Sequence, residues 1–153
     1  MITQKMKYAL KAVMVLGDEA AGQGRPLRIE DIAQQSGAPK RFLEHIMLDI
    51  KKSGLVASTR GRSGGYVLIK DPAGISIPSL LRLIDGPISP LPCLSRVAYR
   101  ICDDCTDEAT CRIRRAFSDA YYGYLLMFEG MTLADLMKGE TRGEMSSEAI
   151  PSA

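Results

Sequence analysis

Four cysteines fall within nineteen residues, spaced Cys93-x8-Cys102-x2-Cys105-x5-Cys111, and the rest of the chain has none. Thiolates are soft ligands suited to iron–sulfur clusters, zinc or copper(I), and four in one short stretch can converge on one centre. The same residues could work without metal, as a thiol switch through Cys102 and Cys105 or another pair, or be incidental. Asp103, Asp104, Asp107 and Glu108 lie among them. Such acids oppose the lowering of a thiol pKa, which needs nearby positive charge, and a bound cation would offset their repulsion.

A second constellation carries charge instead of sulfur. Between Arg28 and Lys70 there are eight Lys/Arg against four Asp/Glu, on a chain whose net charge is only +2. From Lys51 to Lys70 five basic residues occur and no acid. A local basic patch on a near-neutral chain suits a polyanion at one face. Lys40 and Arg41 open a helix-like stretch, and the first turn of a recognition helix is what reaches base edges. Arg41 has the donors for guanine and Glu44 the acceptor for cytosine. His45, the sole histidine, reads as a surface or DNA-contacting group. Lys51 and Lys52, at the far end, suit phosphates. Arg60 and Arg62 sit in a glycine-rich tip, where arginine fits a narrow minor groove. Gly61, Gly64 and Gly65 are expected to let the backbone approach phosphates.

These groups need elements to hold them. Thr3 reads as the N-cap of a helix to about Ala21, with Tyr8, Leu10, Ala12, Val13 and Leu16 as its apolar stripe. A short helix at Ile29–Ser36 turns Ile29, Ile32 and Ala33 inward. Gly37 supplies the positive φ of a tight corner, and Pro39 opens the next helix. There Leu43, Ile46 and Ile50 face inward, while Lys40, Arg41, Glu44, His45 and Met47 take the other side. Leu55–Thr59 and Tyr66–Ile69 alternate around the glycine-rich tip and predict a β-hairpin. Ser76–Asp85 predicts a short helix ended by Gly86, burying Leu80, Leu81 and Ile84. Pro87 to about Thr110 reads as a long irregular loop, a length that is unusual without a function. A final long helix, from about Cys111 to Phe128, shows Ile113, Phe117, Ala120, Tyr121, Tyr124, Leu125 and Phe128 on one wide face. Thr132–Asp135 reads as a capping box for one more short helix.

The expected fold is thus mainly α with a small β-hairpin wing: a winged helix-turn-helix plus a long C-terminal dimerisation helix. The divisions are 1–86 for the DNA-binding domain, 87–110 for a cysteine-bearing sensor loop, 111–138 for the dimerisation helix and short terminal helix, and 139–153 for a polar, disordered tail. At 153 residues, 46% hydrophobic and 25% charged, the chain has an ordinary globular composition. No apolar run is long enough to span a bilayer and no leader-like pattern opens the chain, so the expected place is the cytoplasm, without a membrane partner. Structural disulfides are rare in that reducing compartment.

Ile29-Glu-Asp-Ile-Ala-Gln-Gln-Ser-Gly37, Phe42-Leu-Glu44, Lys52-Ser-Gly-Leu-Val56 and Arg60-Gly-x-x-Gly-Gly-Tyr66, with Thr3, Lys7-Tyr8-Ala9-Leu10 and the cysteine loop before a long helix, resemble the Rrf2 family of bacterial transcription regulators. The resemblance spans roughly residues 1–138. It implies a homodimer of winged helix-turn-helix domains, with the long helix crossing between subunits, bound to a roughly palindromic duplex operator. It places Arg41 and Glu44 on the reading helix and Arg60 on the wing. It also implies an iron–sulfur cluster, 2Fe-2S or 4Fe-4S, on Cys93, Cys105 and Cys111. The carboxylate that some members add near the N-terminus matches about Lys7 here, which leaves Cys102 as the natural fourth ligand.

Other functions fit less of the chain. A thiol oxidoreductase built on Cys102-x-x-Cys105 would want a βαβ setting that is missing. A zinc-stabilised interaction module has no use for an all-basic wing. No Ser/His/Asp arrangement accompanies His45, and the glycine-rich tip lacks the Gly-Lys-Ser/Thr ending of a nucleotide loop. The chain therefore reads as a regulator and not an enzyme.

Overall fold

The computed structural model describes residues 2–139. Helix α1, Gln4–Ala21, begins where the Thr3 hydroxyl accepts the Met6 N–H at 3.1 Å. Its buried face is Met6, Ala9, Ala12, Val13, Leu16 and Gly17. The expected stripe was rotated toward one side: Tyr8 and Leu10 are only partly buried. Small residues decide this. Ala9, Ala12 and Gly17 let neighbours approach closely, and a Cβ on Gly17 would stand 2.6 Å from the Met137 sulfur.

Helix α2, Ile29–Ser36, ends at Gly37, whose φ of 68° turns the chain. The Ser36 hydroxyl accepts the Ala38 N–H at 3.2 Å and steadies the corner. Helix α3, Lys40–Lys52, starts one residue after Pro39, which is extended at ψ 132° and serves as the N-cap. Strands β1, Val56–Thr59, and β2, Gly65–Leu68, pair antiparallel from Val56↔Leu68 to Thr59↔Gly65. Leu27 adds a bridge to Tyr66 on the free edge of β2.

A 3-10 turn at Pro72–Gly74 leads into α4, Ile77–Asp85, which is capped by Ser76 and closed by Gly86. The loop that follows contains a second 3-10 turn, Pro92–Leu94. Helix α5, Arg112–Glu129, and α6, Leu133–Lys138, complete the described chain. Thr132 and Asp135 form the expected capping box on α6.

The main core gathers α1 to α4, Val56 of β1 and Leu133 of α6 around the apolar face of α1. Leu133 is fully buried there, and its N–H donates to the Ile75 carbonyl at 2.9 Å. The short terminal helix therefore packs on α1 and the main core, not with α5, with which the sequence reading grouped it. Its capping box is local, but which body it joins is decided by the turn at Gly130–Met131, which carries the chain back. The tail from 140 onward lies outside the described residues.

Candidate nucleic-acid interface and cysteine loop

Helix α3 buries Leu43, Ile46, Met47 and Ile50 against the core. Met47 was expected on the outer face and is fully buried. It lies one residue from Ile46 and three from Ile50, so the apolar stripe is wider than the i, i+3, i+7 pattern alone. The outer face shows Lys40, Arg41, Phe42, Glu44, His45, Leu48, Lys51 and Lys52. Phe42 packs against Tyr8 of α1 in a tilted ring pair with centroids 5.6 Å apart, and the Arg41 guanidinium stands 5.0 Å from the Phe42 centroid. That contact steers Arg41 along the first turn. His45 Nδ1 lies 3.2 Å from the Arg41 carbonyl, one helical turn back.

Lys40 is the exception to an open basic face. Its ammonium pairs with Glu30 of α2. The hydrogen bond to Lys40 holds the Glu30 carboxyl below its usual range, and the same bond raises Lys40. The pair braces the two helices of the helix-turn-helix. Lys51 and Lys52 lie in the last turn, where positive charge complements the helix C-terminus.

The wing tip exposes Arg60, Gly61, Arg62 and Ser63. Neither wing arginine side chain has an ion pair or hydrogen bond among the described residues. Gly61 is open, with nothing within 4 Å of a would-be Cβ. Gly64 and Gly65 are not. A Cβ at Gly64 would meet the Thr59 carbonyl oxygen at 2.4 Å, and one at Gly65 the Leu27 oxygen at 2.4 Å. These two glycines let the chain approach itself closely, a constraint within the chain that is separate from their expected role toward phosphate. Sequence reasoning also missed Arg28, which reaches from the start of α2 to the Arg62 carbonyl. Its signal was an arginine where a Ser, Thr, Asp or Asn cap is usual.

The cysteine loop lies at the head of α5. Cys93 and Leu94 are buried with Tyr121 and Leu125 of that helix, and Cys102 packs against them. The Arg114 guanidinium donates to the Cys93 carbonyl. Cys111 caps α5, its sulfur accepting the Arg114 N–H at 3.4 Å. The Cys105 N–H donates to the Cys102 carbonyl at 3.0 Å, which makes Cys102–Cys105 a tight turn. Tyr99 donates to Glu108 at 2.8 Å and Thr110 to Asp107 at 2.7 Å, tying down two of the acids.

Burial pushes the Cys102 thiol above its ordinary range, and hydrogen bonding to Cys93 adds to that. Burial likewise raises Cys105, reinforced by Cys111 and Glu108. The thiols thus influence one another from both ends of the loop. Yet among the described residues no group of three or more His, Cys, Asp or Glu is arranged to hold a metal ion. The expected convergence of four thiols is not met in this conformation. Cys93 is held under Tyr121 and Leu125, and Cys111 is fixed by its helix cap. As a donor set the four thiols suit an iron–sulfur cluster, although in this conformation they are not gathered as one metal-binding group.

The expected apolar face of α5 divides. Tyr121 and Leu125 are buried against the loop and Phe128 packs on the main core, whereas Ile113, Phe117 and Tyr124 remain exposed; so do Leu126 and Met127, outside the expected face. Phe117 and Tyr124 line an apolar groove of about 470 Å³ that runs to Ile2, Thr3 and Leu81. Among the described residues no helix is long and apolar enough to cross a membrane.

The family model described as Rrf2, iron-dependent transcriptional regulator, matches residues 2–139. The chain belongs to the Rrf2 family. An rrf2-like HTH-type transcriptional regulator of Rhodobacter capsulatus is 60% identical over 138 residues, covering 90% of this chain and 92% of that protein. The HTH-type transcriptional regulator NsrR of Geobacillus kaustophilus is 30% identical over 137 residues, covering 90% and 89%. The solved structure of CymR, the global cysteine regulator of B. subtilis, matches with a TM-score of 0.72 at 28% identity, over 92% of this chain and 98% of that one. This Rrf2 chain is a DNA-binding transcription regulator with a winged helix-turn-helix, not an enzyme.

Proposed function

We propose that this Rrf2 regulator acts in the cytoplasm as a homodimer on a roughly palindromic duplex operator. Helix α3 enters the major groove with Arg41, Glu44 and His45 at base edges, while Lys51 and Lys52 meet phosphates. Arg60, Gly61 and Arg62 of the wing reach the adjacent minor groove. Lys40 acts chiefly through Glu30, by holding α2 and α3 together. The observation that carries this reading is that Arg60, Arg62 and Arg41 are exposed on adjoining elements without acidic partners among the described residues. The exposed apolar strip of α5 supports the dimer, since a single chain leaves Phe117 half exposed.

The loop from Cys93 to Cys111 is the sensor in this reading. Cys93, Cys105 and Cys111, with Cys102, would hold an iron–sulfur cluster, which supplies an iron- and redox-sensitive cross-link when bound. The loop runs directly into α5, so the positions of these cysteines bias the spacing of the two reading heads. Cys93 contributes its buried packing and its carbonyl bond to Arg114. Cys111 links the loop to the first turn of α5. A metal-free thiol switch is the second reading. The contact of Cys102 with Cys93 favours it, and favours that pair over Cys102–Cys105.

Titration of the protein onto duplex from its own upstream region tests the DNA reading. Affinity should fall steeply with salt, with a log–log slope near −0.9 for each phosphate neutralised. Arg60→Ala should weaken binding and reduce that slope by about 1. A salt-independent interaction, or none with any promoter fragment, contradicts it. Anaerobic purification tests the sensor: brown protein that absorbs in the visible supports the cluster. Colourless protein that changes affinity on thiol oxidation supports the switch.

A further inference from the structure

We infer that Arg28 is a positioning residue for DNA binding, fixing the wing tip against the helix-turn-helix; this rests on the proposal that the wing contacts DNA. Arg28 precedes α2 at the N-cap position. A guanidinium has no acceptor and cannot satisfy the unpaired N–H groups of a helix start, so capping does not explain the residue. Its main chain is nonetheless locked to α2. The Arg28 N–H donates to the Asp31 carboxylate at 3.2 Å, and its carbonyl accepts the Ile32 N–H at 3.0 Å. From that fixed base the side chain crosses to the wing and donates to the Arg62 carbonyl oxygen.

The remaining supports of the tip make this bond matter. Leu27 and Tyr66 exchange two main-chain hydrogen bonds, at 3.0 and 2.7 Å, which hold the start of β2 just outside the tip. The tip itself is closed by one main-chain bond, from the Gly64 N–H to the Gly61 carbonyl at 3.0 Å. Between the start of α2 and the tip lies a groove of about 320 Å³ lined by Arg25, Arg28, Asp31, Gln35, Arg62 and Ser63. Arg28 spans it. Because the bond goes to the Arg62 main chain, the Arg62 guanidinium stays available to DNA. Losing Arg28 would leave residues 60–63 held only where β2 begins, so Arg60 and Arg62 would have to be ordered when DNA binds.

The experiment compares Arg28→Ala, Arg62→Ala and the double variant by fluorescence anisotropy on the upstream duplex across a salt series. Arg28→Ala should weaken binding about fivefold, within the range of coupled neighbours, and leave the salt slope unchanged. Arg62→Ala should lower the slope by about 1. The main-chain carbonyl at position 62 survives Arg62→Ala and still accepts from Arg28, so the double variant should bind more weakly than Arg62→Ala through the loosened Arg60. That further loss should be smaller than the about fivefold loss of Arg28→Ala alone, because the part of the effect exerted through the Arg62 guanidinium is already gone. Without DNA, Arg28→Ala should speed hydrogen exchange at residues 61–65 and leave α1 and α3 protected, which shows that the fold is intact. A slope reduced by about 1 in Arg28→Ala, with effects that multiply in the double variant, would make Arg28 a direct phosphate contact and overturn the inference. Unchanged affinity in Arg28→Ala beside a weakened Arg62→Ala overturns it alone. If Arg62→Ala and Arg60→Ala bind as wild type does, the wing reading fails and takes this inference with it.

Discussion

Replacing Gly65 with alanine should unseat the wing while leaving every basic residue in place. The new Cβ would stand 2.4 Å from the Leu27 oxygen, 2.5 Å from the Leu27 carbonyl carbon and 3.0 Å from the Arg28 nitrogen. All three are main-chain atoms and none can rotate aside. Ordinary contact needs at least 3.4 Å, so β2 must retreat from Leu27 by roughly 1 Å. That retreat carries the 3.0 and 2.7 Å bonds between Leu27 and Tyr66 out of hydrogen-bond range. Each such bond contributes about 0.5–1.5 kcal/mol net, and Leu27, which is 2% exposed, loses some of its packing as well. The total is about 2–3 kcal/mol, or a Tm lower by about 5–10 °C for a domain of this size. Urea and thermal melts followed by circular dichroism measure it. DNA affinity should also fall at temperatures where the variant stays folded, because the tip has moved. A Tm within a degree of wild type would refute the reasoning, since it would mean the approach of β2 to Leu27 has slack.

Other consequences follow from single side chains. Met47→Ala should cost about 2–5 kcal/mol in urea unfolding, as expected for a fully buried methionine; a near-neutral result would return Met47 to the outer face. Phe117→Glu should turn a dimer into a monomer in sedimentation without unfolding the winged domain, because Phe117 is half exposed on α5; an unchanged dimer would place the interface elsewhere. Glu30 has a carboxyl held below its usual range by Lys40, so its stabilising effect is present above the ordinary glutamate range and is lost as pH falls through the lowered value. Wild type should therefore be slightly more stable than Glu30→Gln at neutral pH, and the gap should close in acid and in salt. A gap that stays constant from neutral pH into acid would dismiss the ion pair.

The elements of this chain were legible because their signals are local. Thr3, Gly37, Ser76, Gly86 and the Thr132–Asp135 box each mark an end by backbone chemistry within three or four residues, and the glycine-rich tip marks its hairpin the same way. What was not legible depends on partners distant in sequence. The rotated face of α1 follows from which helices press on Ala9, Ala12 and Gly17, and the burial of Met47 from how deep α3 sits. Docking of α6 on α1 needs Met137 over Gly17. The motif Arg60-Gly-x-x-Gly-Gly-Tyr66 identified the wing, yet could not say that Gly64 and Gly65 serve the chain's own close approach. The cysteine spacing disclosed a soft donor set. It could not disclose that Cys93 is enclosed by Tyr121 and Leu125, because that packing joins residues far apart in sequence.

The central claim, that the first turn of α3 and the wing tip grip neighbouring grooves of one duplex, is tested most directly by photo-cross-linking. A photoreactive residue is placed at position 41 or at position 62, and the adducts on upstream DNA are mapped. Adducts from position 41 should fall on major-groove base edges, and those from position 62 in the flanking minor groove, with each pattern repeated about one helical turn away (roughly 34 Å) by the second subunit. Adducts from neither position on a duplex that the protein still binds would contradict the account.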